Sequence, residues 1–430
     1  MVAEMGLCWQ HSAFMKPIAI IALLVLFVSG RSVSAEGNDF ALKDGDQVVF
    51  YGDSITDQRL YTTYTETYAV TRFPNRNIKF VHSGWGGDRV TGGGGGPIDV
   101  RLQRDVFPYK PTVMTIMLGM NDGSYRPFDQ TVFETYSKGY EHIIDEIKKN
   151  APAVRLTLVG PSPYDDVTRE IKIKDGYNNV LVRYAEYVKE LAGREHAGYA
   201  DLNAPIVAAL QKAKEIDPEL AKKIIPDFVH PGPAGHLLMA GALLQAWHAP
   251  ATVSTVEIDA NSKKTVHTDN TKVSLLAVDR NITWTQEDEA LPMPMDLTDP
   301  AIGLALKSSD FVQTLDQQTL KITGLPAGKF SIKIDGKDAG SFSSDELNGG
   351  VNLATKQTPM LKQAMDVHGL TLKHNDLHFT RWRQIQTKLD KGLEGLDAAL
   401  AKLDELEETL VKQQRRAAKP VAHSFELIPQ

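Results

Sequence analysis

Between Asp46 and Pro250 short apolar runs alternate with longer stretches of helical period, and this alternation constrains the chain more than any other feature. It predicts βαβ units around a parallel sheet, because each strand–helix pair can bury its apolar face only against the next. Strands are expected at 47–51, 78–81, 113–118 and 156–159, short and with little polar content, as a sheet covered on both faces requires. Two stripes mark helices between them: Phe133, Tyr136, Tyr140, Ile143, Ile144 and Ile147, then Val180, Leu181, Tyr184, Val188 and Leu191. A last helix is expected around 234–247, with Pro233 in its first turn, where the missing N–H costs little.

The 430 residues, 42% hydrophobic and 23% charged, suit two or three globular domains of about 100–200 residues each. A net charge of −7 supplies no basic excess, which argues against nucleic acid or an anionic membrane surface as a partner. The single cysteine, Cys8, can build neither a disulfide framework nor a thiolate metal site. Lys16, the apolar run from Ile18 to Val28 and Val33-Ser34-Ala35 together read as a secretory signal over 1–35. The expected product is secreted or periplasmic, with no stable membrane span once the signal is removed, since the apolar run is shorter than the roughly 20 residues a span needs.

The domain expected over 36–250 is followed by a change of style. Short β-type runs punctuated by Gly and Asp predict a small antiparallel β module over 251–350. A mainly helical region is expected over 351–430, where Leu389, Leu393, Leu396, Leu400, Leu403 and Leu410 recur among charges. That stripe suits a helix packed on a neighbour, including a neighbour in an oligomer.

Tyr51-Gly52-Asp53-Ser54 falls where the first strand ends, at the carboxyl edge where parallel sheets bind ligands. A serine there becomes a useful nucleophile only if a base takes its proton. Asp227-Phe228-Val229-His230 offers one, since three-residue spacing lets the carboxylate reach the near ring nitrogen and leaves the far one for the serine. Each segment alone also reads as a plain turn or a helix cap. Gly84-Trp85-Gly86-Gly87-Asp88-Arg89 and Gly119-Met120-Asn121-Asp122-Gly123 follow two other strands and can present N–H donors to the same edge.

In order and spacing these four segments resemble the four blocks of the SGNH (GDSL-type) hydrolases, over about residues 45–250. The resemblance implies a flavodoxin-like three-layer α/β/α domain and a serine esterase that needs no cofactor and no metal. It implies Ser54 as nucleophile, His230 as base and Asp227 as its orienter. It also implies an oxyanion hole formed by the N–H groups of Ser54 and Gly87 and the side-chain amide of Asn121. His82 stands where the family often has Asn and reads as a structural substitution.

Asp88, Arg89 and Tyr125 lie near these blocks as candidate substrate contacts, and Gly92–Gly96 reads as a flexible run at the pocket border. The expected substrate is a small-molecule or polysaccharide ester, with carbohydrate acetyl groups favoured. A lipid acylhydrolase and a noncatalytic glycan-binding or surface protein on a hydrolase scaffold are the alternatives.

Overall fold

The computed structural model describes residues 39–430, so the secretory signal read at 1–35 lies outside the described residues. The run Val48-Val49-Phe50-Tyr51 is buried on both faces and forms β1 (Gln47–Gly52). A short helical turn, α1 (Ser54–Asp57), follows at once, and then α2 (Leu60–Arg72) and β2 (Lys79–Gly84). Next come the two-residue strands β3 (Gly92–Gly93) and β4 (Gly96–Pro97), α3 (Ile98–Asp105), β5 (Val113–Met117), α4 (Gln130–Asn150) and β6 (Arg155–Val159). The domain closes with α5 (Asn178–Arg194), β7 (Gly198–Ala200), α6 (Ala204–Ile216), α7 (Pro218–Ala221) and α8 (Pro233–Ala246).

β2, β1, β5, β6 and β7 pair side by side, all in parallel. Taken in chain order these five strands give 2-1-3-4-5, the doubly wound flavodoxin-like arrangement. Phe50 packs on Tyr61 of α2 and on Trp247 just after α8, while Tyr51, on the other face, lies against Arg101 of α3. On that second face the α4 hydroxyls of Tyr136 and Tyr140 donate to Leu118 and Ile116. The fold is therefore the expected three-layer α/β/α sandwich. β7, only three residues long, carries too little pattern to be read from sequence.

Gly92–Gly96 is not the loose run expected from its composition. Gly92 and Gly93 pair with Pro97 and Gly96 in a small antiparallel clip. A Cβ at Gly95 would meet Arg101 and Trp85 side-chain atoms within 3 Å, so glycine here permits close packing.

Beyond Pro250 the first four strands are β8 (Thr252–Asp259), β9 (Lys264–Asp269), β10 (Thr271–Val278) and β11 (Ile282–Asp288). Helices α9 (Pro300–Ser308) and α10 (Phe311–Leu315) separate them from β12 (Gln317–Thr323), β13 (Lys329–Ile334) and β14 (Lys337–Ser343). They form two sheets where the sequence suggested one antiparallel module, and β12 runs parallel to β8. The long connection between β8 and β12, including two helices, makes that parallel return feasible.

After α11 (Ser344–Gly349) and β15 (Val351–Asn352), the chain forms α12 (Pro359–Phe379), a π-type segment over Thr380–Gln386, α13 (Leu396–Ala417) and β16 (His423–Pro429). β16 inserts between β11 and β13, so the chain terminus is an interior strand of its sheet. No helix of the described residues is long and apolar enough to cross a membrane.

α12 lies on α2 and covers its outer face. Every α2 residue from Tyr61 to Arg72 is consequently buried, including Thr63, Glu66, Thr67 and Thr71. The Glu66 carboxylate accepts from His82 Nε2 (3.0 Å), His374 Nε2 (2.5 Å) and Gln414 Nε2 (2.9 Å). Burial opposes its charge, but the facing His374 and these bonds hold it well below the ordinary carboxylate range. Burial likewise opposes charge on His374, yet Glu66 and Glu407 raise it to about 10. Burial pushes His82 down to about 4, which leaves a neutral ring bridging Thr62 and Glu66. His82, which stands where the resembled family often has Asn, thus ties β2 to α2 through Thr62 and Glu66.

Candidate active site

Asp53 caps α1 by accepting the Ile55 N–H at 3.0 Å, which turns the chain sharply after β1 and presents Ser54 at the carboxyl edge of the sheet. Gly84, at the end of β2, must be glycine: a Cβ there would fall 2.2 Å from the Asp57 backbone N. Burial raises Asp53 to about 7, so near neutral pH this cap is partly protonated.

His230 lies in the loop before α8, where Pro233 opens the helix. His230 Nε2 is 2.9 Å from Ser54 Oγ, and its Nδ1 is 2.8 Å from Asp227 Oδ2. The second Asp227 oxygen accepts the backbone N–H groups of His230 (2.6 Å) and Val229 (3.0 Å). Burial acts to raise the Asp227 carboxyl, but these hydrogen bonds and the imidazole outweigh it and hold the group below its ordinary value. Nδ1–H is donated to Asp227, which leaves the Nε2 lone pair facing the serine hydroxyl.

The turn after β2 closes through Asp88 N–H donating to Trp85 O (3.1 Å), with Gly87 in the left-handed region at φ +78°. Such a turn favours glycine at this position and leaves the Gly87 N–H outside the turn's own bond. A side-chain carbon on Gly86 would sit 3.9 Å from Ser54 Cβ, so the turn flanks the serine directly. Asn121 Nδ2 donates to Asp88 O (3.0 Å), and its Oδ1 accepts from Tyr125 Oη (3.0 Å). With the oxygen engaged by Tyr125, the amide orientation is fixed and one N–H remains for another acceptor.

The structure brings Ser54, Asp227 and His230 into one hydrogen-bonded line and places Gly87 and Asn121 on a turn and a loop joined at Asp88. The three suggested substrate contacts divide. Asp88 is wholly buried with its carboxylate on Arg101 Nε at 2.7 Å, so it supports the turn and has no surface to offer a substrate. Arg89 is exposed on the loop just before the clip. Tyr125 is 39% exposed, stands beside Tyr177 and Tyr164, and occupies the left-handed region with Ser124, a strained arrangement of the kind found at functional loops. His236, on α8, is buried and neutral, accepting from Tyr61 N–H and bonded to Gln58; it ties α8 to α2. Sequence reasoning did not find Asp57, Arg101 or the segment around Arg383, which surround the turn from distant places in the chain.

Residues 50–238 match the model of the GDSL-like lipase/acylhydrolase family. The chain carries a GDSL-like hydrolase domain. An acetylxylan esterase of Geobacillus stearothermophilus is 24% identical over 224 residues, covering 47% of this chain and 93% of that protein. A GDSL esterase/lipase of Arabidopsis thaliana is 24% identical over 220 residues, covering 47% of this chain and 88% of its own length. Among solved structures, a gut microbial diltiazem-metabolizing enzyme superposes with a TM-score of 0.78 at 26% identity, covering 92% of this chain and all of that one. That likeness extends through the added sheets and the C-terminal helices. At family level the domain is a hydrolase acting on esters.

Proposed function

We propose that the protein is an exported serine esterase that removes short acyl groups, acetyl above all, from a carbohydrate or another hydroxyl-rich carrier. The observation that carries the catalytic part is the Ser54–His230–Asp227 line, with both contacts at hydrogen-bond length. Ser54 Oγ attacks the ester carbonyl as His230 Nε2 takes its proton. The oxyanion is received by the N–H groups of Ser54 and Gly87 and by the Asn121 amide, each donor contributing about 3 kcal/mol. Collapse expels the alcohol, protonated by His230, and leaves an acyl-Ser54. Water then attacks that ester with His230 as base and frees the acid.

Acetyl transfer to water is supported by the acetylxylan esterase relative. Export rests on the signal read at 1–35. The test is hydrolysis of p-nitrophenyl acetate, p-nitrophenyl octanoate, acetylated xylan and diltiazem by the protein and its Ser54→Ala variant. Acetate and xylan turnover that vanishes in the variant supports the proposal. Octanoate preference moves the substrate to lipids, and glycan binding with no turnover of any ester returns the protein to a binding role.

The Tyr125 hydroxyl fixes which end of the Asn121 amide faces the site, so Tyr125→Phe is expected to lower kcat by about 10-fold, or roughly 1.4 kcal/mol. KM for p-nitrophenyl acetate should stay close to wild type, because the lost interaction acts on the oxyanion. A rise in KM alone would instead make Tyr125 a substrate contact.

A further inference from the structure

The C-terminal π-type segment reaches the turn that flanks Ser54. Arg383 lies over the Trp85 ring, and its Nη2 is 3.7 Å from Asp57 Oδ2. The same Asp57 oxygen accepts the Gly86 N–H at 3.1 Å. Trp85 and Gly86 are the residues just before Gly87, so one guanidinium touches the turn at its first side chain and, through Asp57, at its second N–H. Trp382 meets Trp85 edge-on and donates its indole N–H to Asp105 at 2.6 Å. From beneath, Arg101 lies against Trp85 and bonds Asp88, the last residue of the turn. The turn is therefore clamped between α3 and a segment some 300 residues further along the chain.

The Arg383 side chain is only 16% exposed. Its Nη1 is buried without a hydrogen-bond partner among the described residues, as is Asp57 Oδ1. Two unpaired buried polar atoms on one ion pair are costly, and a surface that only had to close over Trp85 would be better served by an apolar side chain. π-type turns inside helices recur at functional sites because they redirect a side chain that a regular helix would aim elsewhere.

We propose that Arg383 is a positioning residue of the esterase: by clamping Trp85 and Asp57 it fixes the Trp85–Asp88 turn, and hence the direction of the Gly87 N–H, relative to Ser54. The C-terminal region is then part of the catalytic apparatus and not an appendage to it. This inference rests on the proposed role of Ser54 and Gly87.

The test compares Arg383→Met, Asp57→Asn and the double variant in the full chain, with p-nitrophenyl acetate as substrate and thermal melting as the check on folding. Arg383→Met is expected to lower kcat about 10-fold with KM and melting temperature close to wild type, because the lost alignment matters only to the developing oxyanion. The double variant should lose no more than the worse single one, since both act through the same turn. Arg383→Lys, which keeps the charge and not the flat stack, should fall between and carries the comparison if the Met variant does not fold. Wild-type kcat in Arg383→Met, a change in KM alone, or fully additive losses would overturn the inference. Ser54→Ala separates the two readings: turnover that survives it defeats the serine mechanism itself, whereas its loss beside an unaffected Arg383→Met defeats only the clamp.

Discussion

His230→Ala is expected to lower kcat for p-nitrophenyl acetate by roughly four orders of magnitude. The imidazole Nε2 is hydrogen-bonded to the Ser54 hydroxyl, and without a base there to take its proton the serine is a weak nucleophile. Ser54→Ala should lose about as much, and the double variant no more, because the two residues act as a unit. Asp227→Ala should lose less. Its side chain is 56% exposed, so water can replace part of its influence on the ring, and two of its three hydrogen bonds serve backbone N–H groups of the loop. The melting temperature of His230→Ala should stay near wild type, since the His230 side chain is 36% exposed and packs on little. Rates from stopped and continuous assays, with active-site titration to exclude wild-type carry-over, measure the loss. A His230→Ala protein within ten-fold of wild type would remove the triad from consideration.

Glu66→Ala is expected to cost about 3–5 kcal/mol of stability, because it removes the nearer carboxylate from a charged, buried His374, leaving only Glu407, and opens a cavity among four polar partners. Its pH dependence gives the assignment a second handle. Glu66 lies below its ordinary value of 4.5, so its contribution is complete above pH 4.5 and is lost as pH falls toward the folded value. His374 is raised from 6.5 to about 10, so its contribution is complete below pH 6.5 and is lost as pH rises toward 10. The stability gap between wild type and variant should therefore be widest between pH 4.5 and 6.5, and denaturant titrations at several pH values would show it. A gap that stays flat from pH 4 to 10 would mean that packing, and not the ion pair, joins α12 to α2.

The parts that sequence made legible share one property: their signal is local. Val48–Tyr51 must be a buried strand because no surface could accommodate that run, and the α4 and α5 stripes fix helices by spacing alone. Asp227 and His230 are three residues apart, so their contact needs only a turn. Arg155–Val159 and Lys79–Gly84 differ from the expected strands only at their ends, where pairing with a neighbour sets the limit.

What escaped the sequence depends on partners that arrive from far away. Thr63, Glu66, Thr67 and Thr71 look like the solvated face of an amphipathic α2, and only the docking of α12 makes them a buried polar seam. Leu389 and Leu393 belong to a stripe that suggested a packed helix, yet they are about half exposed, and α13 begins only at Leu396. Asp88 reads as a surface acid until Arg101 is seen beneath it. Arg383 carries no local pattern at all.

Sequence by itself determined the parallel α/β core and four of its five strands, because periodicity is written in neighbouring residues, and the resemblance of four short segments pointed to the candidate site. Tertiary structure alone decided that the terminal strand lies inside a sheet, that Glu66 is held by groups from both ends of the chain, and that a distant arginine clamps the turn beside Ser54. Those outcomes rest on contacts between surfaces hundreds of residues apart. Their complementarity exists only once the intervening chain has folded.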